Sequence, residues 1–212
     1  NKQTDKFFSH YYLHGEDSLQ SSLNNSGYSL EEVTDVILTH LHFDHCGGAV
    51  KWKNNDRKVL EPVFKNATFW SNKNHWDWAN KANEREKASF LSNNISPIEQ
   101  SGQLKFIERK SQLTKGVFQN IDIFFADGHT ESQMIPVINY NGQKIAFMAD
   151  LLPSVGHIPL PYVMGYDTRP LKTLQEKSIF LKLALKNNYL LYLQHDSKNE
   201  SCKLQSTEKG IR

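Results

Sequence analysis

Apolar residues along the chain fall into short runs that predict strands, and longer stretches between them have the spacing of helices. The strand-like runs are rich in β-branched, aliphatic or aromatic residues, and polar or glycine-containing turns follow most of them. They are residues 33–38, 67–70, 106–107, 121–125, 134–140, 144–149 and 189–193. Asn141 and Gly142 lie between two of these runs, which predicts a β-hairpin.

Helical patterns occupy several of the intervening stretches. Leucines recur at helical spacing over lysine and glutamate in residues 171–185, which predicts an amphipathic helix with a structural role. Residues 75–91 combine tryptophan, alanine and phenylalanine with many charges. They predict a helix with one aromatic face, either a lid over a pocket or an element that packs on a sheet. Ser29 and Glu32 have capping-box spacing and predict a short helix, whereas residues 198–212 are polar.

Length and composition limit the class of protein. A chain of 212 residues fits one domain, residues 1–212. It is 38% hydrophobic, and no apolar run approaches the roughly 20 residues that span a bilayer, so no membrane partner is expected. The net charge is +2 with scattered lysines, which does not imply nucleic acid binding. Cys46 and Cys202 make no disulfide framework, which favours a reducing, cytoplasmic location. The sequence leaves a homodimer open.

Candidate metal ligands are concentrated directly after the first predicted strand. His40, His42, Asp44 and His45 fall within six consecutive positions. In an extended chain the first three would share one face, and His45 would need a turn to join them. Residues 49–52, after two glycines, are predicted to begin a helix. Imidazole and carboxylate ligands suit zinc and its first-row neighbours, whereas calcium or magnesium would require oxygen ligands.

The segment His40-Leu41-His42-Phe43-Asp44-His45 resembles the HxHxDH signature of the metallo-β-lactamase superfamily. The resemblance implies an α+β fold of the αβ/βα sandwich type, in which two mixed β-sheets pack face to face and helices flank them. Members of that family usually begin with several strands before the histidine motif. We therefore expect strands to precede Asn1, so that this chain is an N-terminally truncated single domain.

The resemblance extends from about Thr34 to His195 and implies two metal sites that share Asp150. Asp127-Gly128-His129-Thr130 resembles the family's GHT turn, and Asp150 stands at a strand end where the family has a bridging aspartate. One implied ligand set is His40, His42 and His129, and the other is Asp44, His45 and His195. Asp44 and Asp150 are the implied catalytic carboxylates. The implied cofactors are two divalent ions, with zinc the default and manganese, iron or cobalt as alternatives.

Other residues are candidates for supporting roles. The loop after Asp150 is rich in proline and apolar residues, and such loops commonly line active sites. His157, Tyr162, Tyr166 and Asp167 are therefore predicted to contact substrate. Asp127 and Thr130 either orient the His129 ring or are turn residues. His75 is predicted to be a surface residue.

The function implied is hydrolysis of a small molecule by a water that two metal ions activate. The ligand set resembles that of lactonases that open acyl-homoserine lactones and of related organophosphate hydrolases, which favours a small ester or lactone. Glyoxalase II-like thioester hydrolysis and phosphotriester hydrolysis are enzymatic alternatives. A metal-binding scaffold without turnover is the non-enzymatic one. Antibiotic hydrolysis is not expected, because the zinc β-lactamases typically have cysteine at the position of Asp150.

Overall fold

A computed structural model describes residues 2–212, and contacts within the chain divide it into two compact units. The first contains residues up to Ser71 and Ala79–Phe106, and the second contains Asn72–Trp78 and Ile107–Arg212. Helices and sheets occur together, which confirms the predicted α+β class. Between residues 2 and 212, no helix is long and apolar enough to cross a membrane.

The part of the chain up to residue 106 consists of short helices and strands. In chain order they are α1 (Asp5–Phe8), α2 (Leu19–Asn25), β1 (Asp35–Ile37), α3 (Phe43–Cys46), β2 (Val50–Trp52), β3 (Leu60–Pro62), β4 (Thr68–Ser71), α4 (Lys73–Asn80), α5 (Ser92–Gln100) and β5 (Leu104–Phe106). Parallel pairing joins three strands in the order β1-β4-β5, and β2 pairs antiparallel with β3. The histidine motif directly follows the edge strand β1.

The second unit is built on a larger sheet and one long helix. Its elements are β6 (Leu113–Phe118), β7 (Ile121–Ala126), β8 (Gln133–Tyr140), β9 (Gln143–Phe147), α6 (Pro170–Lys186), β10 (Leu190–Tyr192), β11 (Ser201–Lys203), β12 (Ser206–Thr207) and β13 (Gly210–Ile211). Six strands form a mixed sheet in the order β11-β10-β9-β8-β7-β6. Only β9 and β10 run parallel, and α6 lies between them in the chain.

The core of the second unit forms where α6 packs on this sheet. Phe180 of α6 contacts Phe124 of β7 edge to face, with ring centroids 5.1 Å apart. Ala184 and Leu181 of the same helix are buried in the cluster with Leu191 of β10. Burial of these side chains provides the hydrophobic stabilisation of the unit. It also fixes the strand ends from which the candidate ligands of this unit project.

Most of the predicted elements are confirmed. The predicted hairpin is β8 and β9, and its turn residues Asn141 and Gly142 both have positive φ, as a two-residue hairpin turn requires. The helix predicted at residues 171–185 is α6. At Ser29 the predicted capping box is present, because its backbone N–H donates to Glu32 at 2.8 Å, but only a single 3₁₀ turn follows, Leu30–Glu32.

Two local predictions are wrong, and several strands are not predicted from the sequence. The helix expected at residues 49–52 is strand β2, since Val50 and Trp52 pair with β3. The helix expected over residues 75–91 ends at Asn80, in an asparagine-rich and charged stretch. Strand β6 is not predicted from the sequence, because Gly116 interrupts its apolar pattern, and the pairing of β6 with β7 is irregular between Thr114 and Phe118. The polar segment after residue 198 forms strands β11, β12 and β13.

Gly128 gives a test of the packing between α6 and the turn that follows β7. A methyl group on Gly128 would lie 2.4 Å from the backbone nitrogen of Thr173 and 2.7 Å from its Cα. We expect Gly128→Ala to lower the free energy of unfolding by about 1–3 kcal/mol, because the backbone of α6 would have to move. Denaturant unfolding measures this. Gly156→Ala is the control, since its methyl group would be 3.5 Å from Ser154 Oγ. Equal stability of the two variants would contradict the close approach.

Candidate metal centre

The histidine motif of the first unit begins where β1 ends. Pairing with β4 continues one residue past the strand, because Leu38 N donates to Trp70 O at 2.9 Å. His40 and His42 follow in the loop, and both side chains are buried. Their ring centroids lie 4.7 Å apart. The loop after β1 therefore brings two buried imidazoles into edge-to-face contact.

Helix α3 adds the third histidine of the motif. His45 N donates to His42 O at 3.0 Å, and this single helical turn brings the His45 ring centroid within 4.0 Å of the His40 ring centroid. The expectation that Asp44 continues an extended alternation is wrong, because α3 begins at Phe43. Asp44 is exposed, and its Oδ2 lies 3.4 Å from His45 Nε2. The motif thus offers three imidazoles and one carboxylate.

Neighbouring side chains hold these rings in place. Thr39 Oγ1 lies 3.3 Å from His40 Nδ1, and His42 Nε2 lies 3.5 Å from Oε1 of the buried Glu86. Glu86 was not predicted from the sequence, because it lies in the charged stretch that was assigned to a helix. Cys46 is not a ligand candidate, since burial raises the pKa of its thiol to about 12 and the thiol donates to a backbone carbonyl.

In the second unit, Asp150 contacts two histidines through separate oxygens. Its Oδ2 lies 3.1 Å from His129 Nε2, and its Oδ1 lies 3.2 Å from His195 Nε2. Asp150 is only 4% exposed. A carboxylate that faces two imidazoles in this way can serve two cations at once. The three residues come from the ends of β7, β9 and β10.

The backbone before Asp150 is strained. Ala149 has φ +44°, a left-handed conformation that is uncommon for residues other than glycine. Asp150 N donates to Gln133 Oε1 at 3.2 Å, and His195 N donates to Pro153 O at 3.0 Å. Such strain persists only where surrounding contacts impose it, and it is concentrated at functional sites.

The carboxylate that orients His129 is Asp167. Its Oδ1 lies 3.0 Å from His129 Nδ1, and Asp167 is 3% exposed. The prediction that Asp167 contacts substrate is therefore wrong, since the side chain is buried against the histidine. Asp127 does not orient the ring either: it accepts two hydrogen bonds from the Arg109 guanidinium, at 2.6 and 3.0 Å, and one from Ser132 N at 3.1 Å.

The ionisation of these groups follows from their contacts. Burial alone would lower the pKa of His129, but hydrogen bonds to Asp150 and Asp167 outweigh it and raise the pKa to about 9. Below that pKa, and without a bound metal ion, a proton on His129 Nε2 would face Asp150. Burial would raise the pKa of Asp127, but the Arg109 guanidinium outweighs it and the net shift is downward. A divalent cation could replace the Nε2 proton, so this donor set fits a metal.

The predicted substrate-contact residues lie in the loop after Asp150. Tyr162 is 61% exposed and Tyr166 is 79% exposed. His157 is half-buried, its Nδ1 lies 2.8 Å from Ser154 Oγ, and burial lowers its pKa. The surface prediction for His75 is wrong: the residue is fully buried, and its Nδ1 lies 2.6 Å from Glu131 O, just beyond the His129 turn.

A cleft of about 490 Å³ lies beside Asp44 within the first unit. Phe7 of α1 lines it, and the Phe7 ring centroid lies 5.0 Å from that of Tyr11 and 5.2 Å from that of Phe43. The remaining apolar lining is Phe8, Leu13, Val50, Trp52 and Leu91. The only signal for this cleft in the sequence is the aromatic-rich stretch at residues 7–12.

The chain has recognisable relatives. The family model of the metallo-beta-lactamase superfamily matches residues 11–195. A probable metal-dependent hydrolase from Staphylococcus aureus superposes with TM-score 0.83 at 22% identity, covering 95% of this chain and 69% of that protein. AidC, a dizinc quorum-quenching lactonase in complex with a product, gives TM-score 0.76 at 24% identity, covering 94% and 70%. The hydrolase AbOPH gives TM-score 0.75 at 21% identity, covering 95% and 70%. No curated protein sequence matches the chain.

The family match covers most of the chain, including every residue of the histidine motif, the His129 turn, Asp150 and His195. The similar solved structures have the same fold. The chain therefore belongs to the metallo-beta-lactamase superfamily and is a metal-dependent hydrolase.

Proposed function

We propose that the protein hydrolyses a small ester or lactone with two divalent metal ions, zinc being the default. One ion would be held by His40, His42 and His129, and the other by Asp44, His45 and His195. Asp150 would contact both ions. The superfamily typically binds divalent metals, and imidazole with carboxylate is a donor set suited to zinc.

The observation that carries this proposal is the position of Asp150 between two histidines. Each carboxylate oxygen faces a different imidazole Nε2, at 3.1 and 3.2 Å, and the group is buried. A buried carboxylate is unfavourable unless cations or hydrogen-bond donors compensate it. Asp150 has two such partners, and each is a potential ligand to a different ion.

Two adjacent divalent cations can lower the pKa of a shared water and polarise the bond that the water attacks. Residues of this chain orient the side chains that would hold these ions. Asp167 fixes the tautomer of His129 by accepting from Nδ1, which leaves Nε2 directed at Asp150. The exposed carboxylate of Asp44 lies at the edge of the aromatic cleft.

The aromatic cleft supports a substrate with an apolar part. Phe7, Tyr11 and Phe43 form a connected ring cluster that would exclude water from an acyl chain. One structural neighbour is a lactonase in complex with an N-acyl homoserine product. An N-acyl homoserine lactone is therefore the first substrate to test, and a thioester is the main alternative.

The proposed activity is tested with a substrate panel on the metal-loaded protein. The panel contains an N-acyl homoserine lactone, an acyl thioester, a phosphotriester and a phosphodiester. We expect the lactone to have the highest kcat/KM. Turnover of the thioester or phosphotriester alone would replace the lactone assignment with the corresponding alternative. No turnover of any of them would contradict the proposed ester and lactone chemistry.

Metal analysis of the purified protein is expected to give about two first-row divalent ions per chain. The reason is that all seven proposed ligands carry imidazole or carboxylate donors, which bind first-row ions without strong selectivity. Mass spectrometry of the dissolved metals measures this. Magnesium or calcium alone, with no first-row metal, would contradict the assignment.

Asp150→Ala is expected to lose most activity, on the order of a hundredfold or more, because the shared carboxylate is removed. Metal content and kcat/KM are both measured. Asp77→Ala is the matched control: Asp77 is exposed on α4 and pairs with Lys73, so its loss should leave both quantities unchanged. Asp167 is unsuitable as a neutral control, because its contact with His129 would also be lost. Two retained ions and normal turnover in Asp150→Ala would overturn its proposed role.

Phe7→Ala is expected to raise KM for a decanoyl lactone by about tenfold and to change KM for a butanoyl lactone much less. The physical reason is that each buried methylene contributes about 0.8 kcal/mol, and Phe7 is central to the aromatic cluster. Tyr28→Ala removes an exposed aromatic residue that does not line the cleft and serves as control. An equal effect on both chain lengths would show that the cleft does not bind the acyl chain.

A further inference from the structure

Helix α6 carries two adjacent buried charges that do not pair with one another. Glu176 is 2% exposed and Lys177 is 0% exposed. Glu176 accepts hydrogen bonds from backbone N–H groups, and Lys177 donates to backbone carbonyls, so each binds the main chain of a different loop. Apolar residues at these two positions would also allow the helix to pack on the sheet, so packing does not require either charge.

Glu176 holds the turn that carries His129. Its Oε1 accepts from Asp127 N at 2.9 Å, and its Oε2 accepts from Gly128 N at 2.9 Å. Arg169, at the start of α6, binds the same turn: its backbone N–H donates to the carbonyl oxygen of Gly128 at 2.8 Å. The close approach of Gly128 to α6 completes this arrangement. The main chain before His129 is thus bound to α6 through both N–H and C=O groups.

Lys177 holds the loop that follows Asp150. Its Nζ lies 2.6 Å from the carbonyl oxygens of both His157 and Tyr162. The carbonyl oxygens of Pro159 and Leu160 lie 3.1 and 3.3 Å away. Four carbonyls therefore converge on one ammonium group, which draws residues 157–162 into a tight loop. The same loop presents two of the predicted substrate contacts.

The cost of burying these charges indicates that their bonds matter to the structure. Burial raises the pKa of Glu176 and lowers the pKa of Lys177 to about 8. Buried charges are kept where hydrogen bonds compensate them. Here every bond reaches a loop adjoining a candidate ligand or substrate residue.

We propose that α6 is the positioning element of the site, with Glu176 as the positioning residue for the metal ligand His129 and Lys177 as the positioning residue for the loop 157–162. Neither side chain touches the reacting atoms. Glu176 acts on metal affinity through the His129 turn, whereas Lys177 acts on substrate affinity through the loop. The role of Lys177 rests on the proposed lactone hydrolysis, and the role of Glu176 rests only on metal binding.

The test compares Glu176→Ala with Lys177→Met, each serving as the control for the other. Zinc affinity is measured by chelator competition on folded protein, and the melting temperature of the metal-free protein is measured alongside it. We expect Glu176→Ala to weaken zinc binding by about 10–100-fold, the range typical when a contact that helps to orient a metal ligand is lost. Lys177→Met should keep the zinc affinity of the parent protein.

Substrate kinetics at saturating zinc complete the comparison. Lys177→Met should raise KM for the N-acyl homoserine lactone by about tenfold. Glu176→Ala should recover most of its activity under these conditions, because excess zinc restores occupancy. Glu176→Gln retains one oxygen acceptor, so its zinc affinity should lie between those of Glu176→Ala and the parent. It also replaces Glu176→Ala if that variant does not fold.

Four results would overturn all or part of the assignment. Glu176→Ala or Glu176→Gln with parental zinc affinity but a lower melting temperature would show a purely structural role. Lys177→Met with weakened zinc binding would show that the two residues do not act separately. An unchanged KM in Lys177→Met would contradict the proposed role of Lys177 in positioning the loop. Absence of turnover by the parent protein would overturn the lactone proposal and the role of Lys177 that depends on it, while the zinc measurement on Glu176 would stand.

Discussion

The burial of Asp150 is the constraint on which the arrangement of the second unit depends. A carboxylate that is 4% exposed must be compensated, and His129 and His195 contact its two oxygens. The left-handed backbone at Ala149 and the hydrogen bond from Asp150 N to Gln133 aim the group between them. Asp167 then fixes the far side of the His129 ring. The two histidine contacts, the left-handed backbone and the hydrogen bond to Gln133 all concern the Asp150 carboxylate. Together they form a site that is suited to positive charge.

The apolar core provides the rigidity that the site around Asp150 requires. Phe124 and Phe180 join β7 to α6, so the helix that binds the His129 turn is also the helix that fills the core. In the first unit, pairing of β1 with β4 fixes the strand end that precedes His40 and His42. The single turn of α3 brings His45 beside His40. Both units thus place candidate ligands directly after a strand end, where the backbone is fixed on one side and irregular on the other.

Local patterns predicted the elements and the ligand candidates, because those signals lie close together in the chain. The hairpin through Asn141 and Gly142, helix α6 and the histidine motif are all of this kind. The supporting contacts were not predicted. Asp167 lies 38 residues from His129 in the chain, and no local pattern distinguishes it from an exposed loop acid. Glu176 looks like an ordinary polar residue of an amphipathic helix, although its carboxylate is buried.

The central proposal is that Asp150 contacts both of two bound divalent ions. Anomalous diffraction at the zinc edge, from crystals of the zinc-loaded protein, tests this most directly. The predicted result is two anomalous peaks about 3.5–4 Å apart, each in contact with one oxygen of Asp150. A single peak, or two peaks of which neither contacts Asp150, would contradict it.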